Sequence, residues 1–269
     1  GGCPRRSRRN KRPSLSAMYH PILKGSYYEM GYKYGSILHK QGFRLPMLNE
    51  KRLSLGLQCR NKAKRFFPEI LEEIKGFADA CRLDYDHLAS FILTIGSEEP
   101  QCSVFAVTDG KNVFVGRNYD MYYKFKDYLE SCLTMPQDGY KSLGNTDIFI
   151  GREDGVNEKG LAVAMSGIVA HISPGIGFPI AVRYILDKCA TTKEGIKFLT
   201  GTPHFSTISY LLADISGDLA VVEVSPQRTM VRTSEEERFI VSLTTSSIQR
   251  CSIFPSMNPQ IQGPGTTQS

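Results

Sequence analysis

The residue with the strongest chemical potential is Cys102. It stands at a change of pattern, after Glu98-Glu99-Pro100-Gln101 and at the head of a β-rich run, Ser103–Val107. A second such run, Asn112–Gly116, follows across Asp109-Gly110, a tight-hairpin signal. The returning strand carries Arg117, Asn118, Tyr119 and Asp120 back beside the thiol. A guanidinium near a sulfur favours the thiolate, and a carboxylate nearby can orient a proton carrier. The same residues admit a plainer reading. A Cys is often just a small buried apolar residue, and Arg117 and Asp120 can pair on the surface. Spacing alone leaves both open.

Other chemistries are less well supplied. A papain-like thiol enzyme carries a Cys-Gly-Ser-Cys-Trp signature, and this chain has no Trp. The seven cysteines (3, 59, 81, 102, 132, 189 and 251) form no Cys-x-x-Cys pair and have no His at ligand spacing, so neither zinc nor another metal is expected. Nor does any P-loop or Gly-x-Gly-x-x-Gly follow a strand. The scattered thiols point to a reducing, cytoplasmic setting.

Charge excludes a nucleic-acid face. The net charge is +6, but six of the 33 basic residues are Arg5, Arg6, Arg8, Arg9, Lys11 and Arg12, in a leader without acids. The other 27 balance 27 acids, so the body is neutral. The leader lacks the apolar core of a secretory signal. The most apolar stretch, residues 160–182, is broken by Gly, Pro, Ser and His171 and does not read as a membrane span.

The elements that must position Cys102 can be read from periodicity. Residues 19–101 read as mostly helical. Ser26-Tyr27-Tyr28-Glu29 is a capping box, and Met30, Tyr34, Ile37 and Leu38 share the face behind it. Further helices are predicted over Asn49–Phe66, after Pro68, and behind an Asp86 cap. From residue 102 the period becomes that of strands. These are predicted at Thr146–Ile150, Leu161–Met165, Ser206–Asp214, Leu219–Ser225, Thr229–Val231 and Phe239–Ser242. Helices over Pro179–Cys189 and Thr192–Leu199 interrupt them. This order predicts an α+β layered domain.

Three segments together resemble the N-terminal-nucleophile hydrolases of the penicillin acyltransferase and choloylglycine hydrolase type. They are Cys102–Val107, Gly116–Met121 and Gly155–Ala164. Upstream, Gly25–Gly35 is similar to the pro-region of the acyltransferase-like branch, and the resemblance runs from about Tyr19 to Ser242. It implies a four-layer αββα sandwich preceded by a helical pro-region. It also implies a precursor cut between Gln101 and Cys102, after which the freed α-amino group of Cys102 acts as base for its own thiol. The reference pKa of such a group, about 7.7–8.0, suits that role. Asp120 matches the family Asp that orients the new amino terminus, and Arg117 an Arg near the thiol. Tyr119 and Tyr122, with Tyr123, are expected to line the acyl pocket.

The expected organisation is therefore a basic leader (1–17), a helical pro-region (18–101), the hydrolase core (102–242) and a disordered or frame-shifted tail (243–269). The expected function is a self-processing cysteine amidohydrolase or acyltransferase that cleaves a linear amide of a small N-acyl substrate through a Cys102 acyl-enzyme. Two alternatives are an inactive or truncated relative acting as a binding module, and an acyl-CoA-dependent N-acyltransferase. The expected partner is a small N-acyl amide or acyl thioester, with no cofactor, nucleic acid or membrane and with room for a homo-oligomer. Three positions depart from the family pattern. Gln101 replaces a Gly, Met165-Ser166-Gly167 lacks an Asn, and no Thr-Asn-His segment follows Ser242. An oxyanion-hole donor of that kind is worth about 100- to 1000-fold in rate.

Overall fold

The computed structural model describes residues 20–95, 101–120, 129–167, 171–234 and 238–243. The leader, nearly all of the expected tail, and Tyr122 and Tyr123 lie outside the described residues.

The N-terminal part begins with a short strand, β1 (Ile22–Gly25), which periodicity did not predict, and continues with four helices. In α1 (Tyr27–Lys40) the Ser26–Glu29 capping box is complete in both directions. Asn49 caps α2 (Glu50–Phe66), and α3 (Glu69–Cys81) starts directly after Pro68. For α4 (Tyr85–Leu93) the cap is Asp84, which accepts from His87 N at 2.8 Å. The expected cap, Asp86, instead sits in the first turn and pairs with Arg60. Helices α1 and α3 cross very closely. A Cβ at Gly31 would meet the Glu73 carbonyl, and one at Gly76 the Tyr28 carbonyl, both inside 2.2 Å.

From residue 101 the chain is mainly strand. The hairpin of β2 (Gln101–Thr108) and β3 (Val113–Asp120) has a wider turn than Asp-Gly suggests, because Asp109 Oδ1 accepts from both Lys111 N and Asn112 N. Then come β4 (Glu130–Pro136), β5 (Ser142–Thr146), β6 (Asp154–Asn157) and β7 (Ala162–Gly167). Helices α5 (Phe178–Lys188) and α6 (Thr192–Gly201) follow, then β8 (Ile208–Ala213), β9 (Leu219–Val224), β10 (Thr229–Thr233) and β11 (Phe239–Leu243). The strand expected over residues 146–150 is a turn. Only Thr146 is in a strand, and Phe149 has a left-handed backbone with φ of 66°.

Two sheets result. The large one runs β1-β4-β5-β6-β7-β8-β9-β10, with β1 parallel to β4 and every other pair antiparallel. The small one is β11-β2-β3, antiparallel throughout. The inward side chains of β2, Val104 and Ala106, pack with Ala164, Leu211 and Val221 of the large sheet. Helices α5 and α6 cover the opposite face of the large sheet. Their core is continuous with α1 and α3, so Phe67, Ile70, Ile74 and Phe77 share one apolar cluster with Ile180, Ile185 and Leu186. The α+β sandwich follows the expectation. Among the described residues it has three layers, and the outer face of the small sheet carries no helix.

A buried ionic knot joins the segments on either side of residue 101. Arg183 of α5 donates to both carboxylate oxygens of Glu73 on α3 at 3.1 and 2.9 Å, and to Asp187 at 2.9 Å. Tyr27 of α1 donates to Asp187 at 3.0 Å. Burial pushes the Glu73 and Asp187 carboxyls up, and Arg183 pulls them back down.

Candidate active site

The side chains of β2 alternate, so Cys102, Val104 and Ala106 face the large sheet. Cys102 is 2% exposed. Across the hairpin it faces Tyr119, and the diagonal neighbour on the same face is Arg117. That diagonal is within reach of a guanidinium, and Arg117 Nη2 donates to Cys102 Sγ at 3.3 Å.

Arg117 is held on all sides. Nε donates to the Met165 carbonyl at 3.2 Å, and Nη1 donates to Glu153 at 3.1 Å and Asp154 at 2.8 Å. Nη2 also contacts Met165 Sδ at 3.3 Å, and the guanidinium lies 4.6 Å from the Tyr119 ring centre. Its side chain is 7% exposed. Each N–H direction has an acceptor, so the group is pre-aimed at the sulfur.

A second tier of acids lies behind. The turn after β5 brings Asp147 to the Tyr119 hydroxyl, which donates to Asp147 at 2.7 Å and to Glu153 at 3.3 Å. Asp147 Oδ1 is buried and has no hydrogen-bond partner among the described residues. Burial drives the Glu153 carboxyl well above the ordinary range and Asp147 adds to this, while Arg117 opposes it. Burial, then Glu153 and Asp147, push the Tyr119 hydroxyl up as well. For Arg117, burial is the largest influence and acts downward, but Glu153, Cys102 and Asp154 together hold the guanidinium charged.

The thiol is caught between opposing influences. Burial raises its pKa, and Arg117 with the Asp120 backbone N–H works against that without overcoming it. The expected effect of Arg117 is present in sign, yet the buried thiol stays above its ordinary value.

Cys102, Arg117 and Tyr119 thus converge. The Asp120 carboxylate does not join them. It lies opposite Gln101 on the outward face of β3, exposed, where it accepts from Asn118 Nδ2 at 2.7 Å. Asp120 reaches the sulfur through its backbone instead. Sequence reasoning missed Asp147, Glu153 and Asp154. Their signal was an acidic pair directly ahead of the Gly155–Ala164 segment. Nearby, Ser166 Oγ and Ser242 Oγ lie 2.8 Å apart in a buried hydrogen bond.

Among the described residues no cluster of three or more His, Cys, Asp or Glu could hold a metal ion, and no helix is long and apolar enough to cross a membrane.

No curated protein matches the sequence. Among solved structures, the chain is similar to penicillin V acylase from Agrobacterium tumefaciens, at 19% identity and a TM-score of 0.35, over 57% of this chain and 48% of that one. Two single-residue variants of conjugated bile acid hydrolase from Clostridium perfringens match at 17% and 18% identity, with TM-scores of 0.34 and 0.35, over 56% of this chain and 47% of theirs. The chain therefore spans about half the length of these enzymes. Residues 107–247, just over half of the chain, match the acyl-coenzyme A:6-aminopenicillanic acid acyl-transferase family. The chain belongs to the acyl-coenzyme A:6-aminopenicillanic acid acyl-transferase family.

Proposed function

We propose that Cys102 is the nucleophile of a self-processing amidohydrolase or acyltransferase that acts on a small N-acyl compound. The observation that carries the reading is the clamped Arg117 guanidinium, 3.3 Å from the sulfur at the start of β2. In processing, Sγ attacks the Gln101 carbonyl and its proton passes to the departing Cys102 nitrogen. The peptide C–N bond gives way to a thioester, and water then releases the Gln101 carboxylate. In turnover the freed α-amine takes the thiol proton while sulfur bonds to the substrate carbonyl. The C–N bond breaks, the amine leaves with that proton, and water or a second amine takes the acyl group.

Arg117 supplies positive charge where thiolate forms, and Glu153 with Asp154 fixes its orientation. Of the acids behind Arg117, Glu153 acts electrostatically on Cys102 and shares the Tyr119 hydroxyl with Asp147. Five cysteines are described, and all five are buried. On this reading residues up to 101 form the pro-segment and those from 102 the catalytic segment, and the Glu73–Arg183–Asp187 knot keeps the two together after scission.

One observation favours a second reading, an inactive relative that only binds. The oxyanion amides that the family resemblance implies are missing, and of the Ser166 and Ser242 hydroxyls nearby one already donates to the other. Mass spectrometry of the purified chain separates the two. Self-cleavage yields a fragment starting at Cys102 that Cys102→Ala abolishes. A chain that stays intact over days at every pH assigns the binding role instead.

A further inference from the structure

Arg152 is fully buried on the helix-covered face of the large sheet, the face turned away from the thiol. Its side chain lies over β5, where a Cβ at Gly144 would come within 3.2 Å of Arg152 Cδ. Nη2 donates to Thr134 Oγ1 of β4 at 2.8 Å. Nη1 donates to three successive carbonyls, those of Phe149, Ile150 and Gly151, at 3.4, 3.2 and 2.6 Å. The guanidinium thus bonds neutral oxygens, and its Nε has no hydrogen-bond partner among the described residues. Burying a cation in this way is costly. The acids that sense its charge on that face are Glu130, Glu73 and Asp187, and Arg183 is the cation between the last two. The three carbonyls belong to the turn between β5 and β6. Phe149 is strained there, since its φ of 66° is a region that bulky side chains rarely enter. Its ring is seated among Phe43, Phe77 and Phe91, with centres 5.2, 6.4 and 5.8 Å away.

A strained turn tied down by a costly buried cation calls for a reason, and the two ends of the turn supply one. Asp147, ahead of Phe149, accepts from the Tyr119 hydroxyl at 2.7 Å. Glu153, next to Arg152, points to the opposite face, where it accepts from Arg117 at 3.1 Å and from Tyr119 at 3.3 Å. Arg117 in turn donates to Cys102 Sγ. We propose that Arg152 is a positioning residue for the thiol: from the far face of the large sheet it fixes the turn whose ends carry Asp147 and Glu153, and through them Tyr119 and Arg117. The assignment rests on the thiol reading above.

The pH profile of Cys102 alkylation by iodoacetamide tests this on the full chain, with the adduct located by mass spectrometry. Arg152→Met should let the turn relax and Arg117 leave the sulfur. The profile should then move up by about half a unit or more, a loss of about threefold or more in rate at pH 7. Arg152→Lys keeps the charge but cannot span Thr134 and the three carbonyls together, so it should move the profile part of the way. It carries the test if the Met variant does not fold. In an Arg117→Met background neither substitution should shift the profile further, because the relay is already cut. If Arg117→Met moves the profile and the folded Arg152 variants do not, the positioning role is overturned and the thiol reading stands. A shift that persists in full in the Arg117→Met background gives Arg152 a direct effect on the sulfur and also overturns the proposal. If Arg117→Met itself leaves the profile unmoved, the thiol reading fails and the positioning role with it.

Discussion

Cys102 is a thiol whose burial and whose cation pull in opposite directions, and Arg117 limits how far burial raises its pKa. Replacing Arg117 with Met removes the favourable partner and leaves burial unopposed, so the thiol pKa should rise further. Each unit of rise lowers the thiolate fraction about tenfold near pH 7. The pH profile of Cys102 alkylation by iodoacetamide should move to higher pH, and an unmoved profile would show that the guanidinium only fills space. Glu153 yields a second prediction with the opposite pH sense. Its folded pKa lies above the ordinary value, so the folded protein keeps a proton that the unfolded chain has released. Stability is therefore present at low pH and lost as pH rises from the ordinary carboxylate range through the folded value. Glu153→Gln keeps the hydrogen-bonding capacity but cannot ionise, so urea midpoints should fall less between about pH 5 and pH 8 than in the parent. Equal falls would locate the effect elsewhere.

At the level of helices and strands, the Arg183 knot is the joint between α3 and α5. Its groups are fully buried, so removing the cation alone strands two acids. Arg183→Met should cost about 3–5 kcal/mol by urea unfolding. Combining it with Glu73→Leu and Asp187→Leu should recover much of the loss, because no charge is then left unpaired. Helices α1 and α3 meet so closely that Gly31→Ala must push them apart, at about 1–3 kcal/mol in the same assay. How far sequence reading succeeded also differs by element. The start of α1 and both ends of α2 were recovered almost to the residue, because cap and period are local. Strands β1, β4 and β6 escaped notice. They are short or half-covered, and β5 ends where a left-handed Phe149 begins the turn that was expected to be strand.

For the whole molecule, the small sheet buries one face and leaves the other bare. Phe105, Phe114, Phe239, Val241 and Leu243 lie on that outer face, each between 40% and 57% exposed. A contiguous apolar face of this kind promotes association. Replacing Phe114 and Phe239 with Thr, a residue suited to strands, should lower self-association in light scattering while shifting unfolding free energy by about 0.5 kcal/mol or less. A large loss of stability would mean that these rings are part of the folding core.

Residue order alone was enough to specify the hairpin headed by Cys102, the returning Arg117 and the α+β class. Each depends on neighbours a few positions away, or on a period of two or 3.6 residues. Which acids surround the thiol could not be read that way. Asp120 is one residue beyond Tyr119, the cross-strand partner of Cys102, so the alternation of β3 turns its carboxylate outward. Asp147 and Glu153, some fifty residues downstream, are brought in by the turn between β5 and β6. The balance at the sulfur was likewise hidden. A guanidinium signals a lowered thiol pKa, but the opposing desolvation exists only once the two sheets have closed over Cys102.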